Sequence, residues 1–183
     1  NALKKVTIEI KKPITCIIGG SKISTKIDII KNLIPKFNNI IFVGGMANNI
    51  LSFKGNRIGK SISEKNCESI IKEIFEISKN QLCKITYPED VLIGKSTDGD
   101  AQTKDLKDIT DDDLILDLGP KTLKKIKNII ENSKTVLWNG PAGYFENPNF
   151  ARGSFEIAKT IIKKNKDNSI YSVVGGGDTV AVI

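Results

Sequence analysis

Short apolar runs alternating with amphipathic stretches restrict this chain's fold more than any other feature. Residues 14–18, 40–43, 114–116, 135–138 and 170–174 read as buried strands, with a weaker strand at 84–87. Between them, residues 24–34, 64–80, 121–131 and 150–164 carry helical spacing, with Ile70, Ile71, Ile74 and Ile77 on one face of the second. Pro35 ends the first of these helices and Pro120 precedes the third. Strands separated by helices run parallel and need cover on both faces. The expected fold is therefore α/β, a doubly wound parallel sheet of about six strands with helices on both faces, a Rossmann-like three-layer sandwich. Such sheets take ligands beyond the carboxyl ends of their strands. Gly19 and Gly20, Gly44 and Gly45, Gly119, Gly140 with Gly143, and Gly175 to Gly177 each follow a predicted strand, so glycine loops converge on one rim.

Composition removes several function classes. At 183 residues and 39% hydrophobic content the chain can bury one good core, and one domain is expected. The formal charge is +7, yet the lysines are scattered and no basic block interleaves with aromatics. That pattern fits a solvated surface with a preference for small anions, and no nucleic-acid partner is expected. The chain has no histidine, which removes Ser-His-Asp and Cys-His catalysis and any histidine-based zinc site. Cys16, Cys67 and Cys83 are odd in number and far apart, as in a reduced, cytoplasmic protein. No apolar run reaches the length of a membrane span, and no membrane partner is expected.

Other sequence patterns fail on inspection. Residues 81–113 are irregular and acidic and read as an exposed excursion. Within it, Asp98, Gly99 and Asp100 mimic a calcium loop, but Thr103 and Ile109 occupy its glycine and closing glutamate positions. Asp111, Asp112 and Asp113 read as a solvated turn, not a metal cluster. Gly59-Lys60-Ser61 and Gly94-Lys95-Ser96 lack the earlier glycine of a P-loop, and no dinucleotide fingerprint is present.

Three loops concentrate the chemistry. The last strand runs into Gly175, Gly176, Gly177, Asp178 and Thr179, where bare N–H groups and a following helix could cradle phosphate, though such turns also serve plain chain reversal. After the first strand come Gly19, Gly20, Ser21, Lys22 and Lys26; with a helix starting near Ser21, Lys22 and Lys26 lie one turn apart and aim two ammonium groups at one spot. Residues 138–146 hold Asn139, able to donate to phosphate, and Glu146, able to accept from ribose hydroxyls; the same run also reads as a rigid Pro-Gly turn with aromatic filler.

Taken in order, Gly19-Gly20-Ser21-Lys22 with Lys26, Gly44-Gly45-Met46-Ala47, Leu116-Asp117-Leu118-Gly119-Pro120, the 138–146 turn and the 175–179 turn closely resemble the nucleotide-binding half of the phosphoglycerate kinase family. The resemblance covers residues 13–183, with residues 1–12 as an inter-lobe segment. It implies phosphoryl transfer between 1,3-bisphosphoglycerate and ADP, giving 3-phosphoglycerate and ATP with Mg2+, in a generally monomeric protein. By that pattern Lys22, Lys26 and Gly177 act on the transferring phosphate. Gly20, Gly44, Gly45, Leu116 and Tyr144 line the adenine slot, and Pro141 and Gly143 belong to the nucleotide site. Asn139 reaches a phosphate, Glu146 the ribose and Asp178 the metal, while Gly176, Gly177 and Thr179 bind phosphate oxygens. The family's phosphoglycerate-binding amino-terminal lobe and its later glycine-rich segment are not in this sequence. The chain begins at Asn1 and ends at Ile183 inside an apparent helix, as a truncated lobe would, and is expected to bind nucleotide without turnover. A stand-alone nucleotide module and, more remotely, an NAD-binding dehydrogenase piece are the competing readings.

Overall fold

The computed structural model describes residues 11–181; most of the 1–12 segment, expected to join two lobes, lies outside the described residues. The strands are β1 (Ile14–Ile18), β2 (Asn39–Phe42), β3 (Lys84–Thr86), β4 (Asp90–Gly94), β5 (Gln102–Asp105), β6 (Leu114–Leu118), β7 (Thr135–Asn139) and β8 (Tyr171–Gly175). The α-helices are α1 (Ile27–Leu33), α2 (Gly44–Phe53), α3 (Glu68–Asn80), α4 (Pro120–Glu131), α5 (Arg152–Lys166) and α6 (Gly177–Ala181).

Five strands form a parallel sheet in the order β3-β2-β1-β7-β8. All five residues of β1 are buried because helices cover both of its faces. Strand alternation sends Ile14, Cys16 and Ile18 into one core with Ile30 of α1, Ile50 of α2 and Ile71 of α3. Ile17 points the other way, joining Val136 and Trp138 with Ile126 of α4 and Ile157 of α5. The chain winds outward from β1 in both directions, so the loops after β1, β2 and β7 part company at a topological switch point.

The sheet has one strand fewer than expected, since the run at Leu114 is drawn out of it. β6 pairs antiparallel with β4, which pairs antiparallel with β5, in a separate three-stranded sheet. The 81–113 excursion is thus not an exposed loop. All five residues of β4 are buried, with Val91 and Ile93 packed on Leu51 and Ile109. Flanking acids hid this short strand, and the buried ones, Asp90 and Asp113, have structural partners. Asp90 accepts from the N–H groups of Lys121 (2.9 Å) and Thr122 (2.8 Å) and so caps α4 from a distant part of the chain. A Cβ at Gly119 would overlap that carboxyl, 2.5 Å from Oδ2, so this glycine permits a close approach instead of serving the rim. Asp111 and Asp112 are exposed as expected of a turn, but Asp113 is buried and accepts from Lys95 Nζ (2.8 Å), Lys104 Nζ (2.7 Å) and Thr110 N (2.7 Å).

Helix α2 escaped the periodicity reading. Two glycines open it and two asparagines stand where apolar residues belong, yet Met46, Ala47, Ile50 and Leu51 are buried. Asn48 Nδ2 donates to the Ile62 carbonyl (3.0 Å), and Asn49 Oδ1 accepts from Glu64 N (2.6 Å), strapping the following loop to the helix.

Candidate functional site

Beyond the carboxyl ends of β1, β2 and β7, backbone lies directly on backbone. Gly19 N donates to the Asn139 carbonyl (2.8 Å), Met46 N to the Gly20 carbonyl (2.7 Å) and Gly44 N to the Ala142 carbonyl (3.2 Å). A Cβ at Gly19 would lie 2.7 Å from the Pro141 carbonyl oxygen, and Gly44 has φ +59, so glycine is required at both positions. A cleft of about 190 Å³ opens beside this stack. Gly20, Gly44, Gly45, Leu116, Pro141, Gly143 and Tyr144 all line it, so the structure brings these seven expected residues together. Tyr144 N donates to the Leu116 carbonyl (2.7 Å), which holds the 141–144 wall of the cleft on β6.

Sequence reasoning missed Ile62, Asn48 and Pro88, which also line the cleft. Ile62 is 60% exposed, an apolar side chain left facing the cleft. Neither glycine nor charge marks it, and only the strap from α2 places it there.

A second cluster adjoins the first at Gly20. Lys26, in the 3₁₀ turn Ser24–Lys26, donates from Nζ to the Gly19 carbonyl (2.8 Å) and to Asn139 Oδ1 (2.8 Å). Among the described residues no carboxylate forms an ion pair with it. Burial pushes its pKa down by disfavouring the charged form, partly opposed by the field of Cys16. Asn139 Nδ2 lies 3.4 Å from where a Cβ on Gly175 would be and 3.6 Å from one on Gly176, whose φ is +94. Thr179 is buried, and its Oγ1 accepts from Gly140 N (2.7 Å), fastening α6 to the loop after β7.

Lys22 does not pair with Lys26 across a helix face. Glu64 accepts from Ser24 N (3.0 Å) and from the Ser24 hydroxyl, so the helical turn begins only at Ser24. Lys22 precedes it, exposed. Those Ser24 bonds lead in holding the Glu64 carboxyl below its ordinary range, with a smaller contribution from the charge of Lys22. Gly177, Asp178 and Glu146 are exposed too. A Cβ on Gly177 would meet nothing within 4 Å. Among the described residues, no group of three or more His, Cys, Asp or Glu side chains could hold a metal ion, and no helix is long and apolar enough to cross a membrane.

A parallel sheet wound both ways from β1, with a glycine-lined crevice at the switch point, defines a doubly wound α/β protein with its crevice where that class takes its ligands. The phosphoglycerate kinase family model matches residues 1–183. Phosphoglycerate kinase from Wolbachia pipientis wMel is 42% identical over 173 residues, covering 94% of this chain and 44% of the relative. The protein of that name from Chelativorans sp. (strain BNC1) is 36% identical, over 100% of this chain and 46% of its own length. The structure of phosphoglycerate kinase from Coxiella burnetii superposes with a TM-score of 0.92 at 34% identity, covering 99% of this chain and 46% of that one. This chain belongs to the phosphoglycerate kinase family, and it spans somewhat less than half the length of the relatives it matches.

Proposed function

We propose that this chain is the nucleotide-binding lobe of a kinase that moves a phosphoryl group between 1,3-bisphosphoglycerate and ADP, yielding 3-phosphoglycerate and ATP. One observation carries the reading: Lys26 is a half-buried cation bonded to neutral oxygens alone, beside a floor of bare glycine backbone. A partly desolvated ammonium with no counter-anion is stabilised by an anion, and a polyphosphate supplies one.

The layout suits an adenine nucleotide laid along the rim. The flat ring enters between Gly44, Gly45 and the Leu116 and Tyr144 wall, where Cβ atoms would obstruct it. Gly20 leads toward Lys26, since a Cβ there would sit 3.5 Å from Nζ. Phosphates then fall between Lys26, Asn139 and the N–H groups of Gly176 and Gly177. Direct phosphoryl transfer needs alignment and positive charge around the equatorial oxygens, with no protein nucleophile, which agrees with the absence of histidine. Thr179 positions the 140s loop through Gly140, and Lys22 supplies an exposed charge. Asp178 fits Mg2+ as a single exposed carboxylate beside the open side of Gly177, the donor set this ion accepts when substrate oxygens and water complete its shell. The ion, when bound, neutralises phosphate charge. Glu146 reaches the ribose; phosphoglycerate binds a second lobe, and the whole protein works as a cytoplasmic monomer.

Calorimetric titration of this chain with magnesium ADP, with and without chelator, tests the reading. Saturable binding weakened by chelator is expected, with no turnover by the chain alone; a silent titration overturns it. In the full-length protein Lys26→Ala should lower kcat far more than it raises KM for ADP, and equal losses in both would contradict the assigned role.

A further inference from the structure

Asp117 sits one residue from the end of β6 and is 2% exposed. Its Oδ2 accepts from Gly153 N (2.7 Å) in the first turn of α5, while Oδ1 has no hydrogen-bond partner. Two glycines bracket that free oxygen. A Cβ on Gly143 would lie 2.5 Å from Oδ1, and one on Gly153 would overlap it outright. Leu116, one residue before, receives Tyr144 N, and Ala142 N donates to Ser154 Oγ (2.8 Å) just after Gly153. The cleft wall formed by residues 141–144 is thus trapped between β6 and α5, and the carboxyl of Asp117 is the wedge at their junction.

Resting on the nucleotide reading above, we propose that Asp117 is a positioning residue that sets the 141–144 wall of the cleft for nucleotide by pinning it against the start of α5. Asp117 touches no reacting atom in this role. It fixes how far Leu116 and Tyr144 stand from the Gly44 and Gly45 face. Burial has a further consequence: it pushes the Asp117 carboxyl up to about 7, against the lowering effect of the Gly153 and Leu118 N–H groups and of Arg152. Arg152, on α5, supplies the charge that acts on it. The other surrounding elements present uncharged groups: Leu92 at the paired position of β4, Ala142 and Gly143 in the wall, Ser154 on α5. Among the described residues, Asp117 is also the only carboxyl group lining the cleft, whose other titratable side chain is Tyr144. Loss of its proton puts an unpaired charge at Oδ1, draws water into the junction and loosens the wall.

The test measures magnesium ADP affinity of this chain between pH 6 and 8.5, for wild type, Asp117→Asn and Asp117→Ala. Wild type should weaken severalfold above pH 7. Asp117→Asn, which keeps an acceptor for Gly153 and cannot ionise, should bind as wild type does at pH 6 and lose the pH dependence. Asp117→Ala, lacking the pin, should bind about 10-fold more weakly at every pH. An Asn variant that keeps the wild-type pH profile, or an Ala variant with unchanged affinity, overturns the proposal. If wild type binds no nucleotide, the nucleotide reading fails separately, and amide hydrogen exchange then decides the pin: at least 10-fold faster exchange at Tyr144 and Gly153 in Asp117→Ala supports it, and unchanged exchange overturns it.

Discussion

Asp113 and Asp117 stand four residues apart, the first just before β6 and the second near its end, both carboxylates, both buried. Their surroundings differ completely. Asp113 receives two lysine ammonium groups and a backbone N–H; its lysine hydrogen bonds lead in holding the carboxyl well below the usual carboxylate range despite burial. Asp117 Oδ2 accepts from Gly153 N and Oδ1 has no hydrogen-bond partner; burial drives the carboxyl up to about 7 against the lowering effect of the Gly153 and Leu118 N–H groups. A saturated buried acid is a rivet of the small antiparallel sheet. An undersupplied one, set at the cleft, keeps capacity to change state. Burial alone distinguishes nothing here; the number of donors does.

The widest separation between the two should appear in stability against pH. A carboxyl raised in the folded state stabilises it fully below the unfolded value of 3.8, and that contribution is lost as pH rises toward about 7. Urea unfolding of wild type should therefore lose on the order of a few kcal/mol, relative to Asp117→Asn, between pH 4 and 7. Asp113 acts with the opposite sign, its contribution vanishing only as pH falls below 3.8. Parallel pH curves for wild type and Asp117→Asn would erase the contrast. Next in size, Gly153→Ala drives a methyl into Asp117 and should cost about 3 kcal/mol by overpacking, measured by the same unfolding. Asp113→Ala should cost about 3 kcal/mol, because it strands Lys104, whose side chain is only 15% exposed, while the 63% exposed Lys95 stays solvated and adds little. Gly177→Ala is the mildest: its Cβ enters open space, so stability should change by less than about 0.5 kcal/mol while magnesium ADP affinity falls. A large stability loss there would place Gly177 in the packing instead of the phosphate cradle.

The sequence spelled out β1, β2 and β7 because their apolar runs, largely buried between helices, are continuous. β8, expected to be buried, is instead an edge strand with Tyr171 exposed and the rest half-buried, because among the described residues only β7 flanks it. It also exposed the rim, since Gly19 and Gly44 are demanded by close backbone approach, a need that leaves its mark in residue type. β4 was opaque because three apolar residues between Asp90 and Gly94 are too few to set against acidic neighbours whose partners lie far along the chain. Helix α2 was opaque because Asn48 and Asn49 serve a loop instead of the core. Lys22 and Lys26 were misjudged as a helix-face pair for a related reason. What starts that turn is Glu64, forty residues past Ser24, and no local pattern encodes it. Ile62 belongs to the same class: its place in the cleft depends on a tether, not on its neighbours in sequence.

The loop leaving β7 touches nearly everything described above. Asn139 holds Lys26, Gly140 holds Thr179, Ala142 holds α5 and Tyr144 rests on Leu116. On the nucleotide reading proposed above, base end and phosphate end therefore hang from one short stretch of chain, which would work as a ruler for ligand length. Adding a single residue to it would leave every contact group intact and still set the two ends at the wrong spacing.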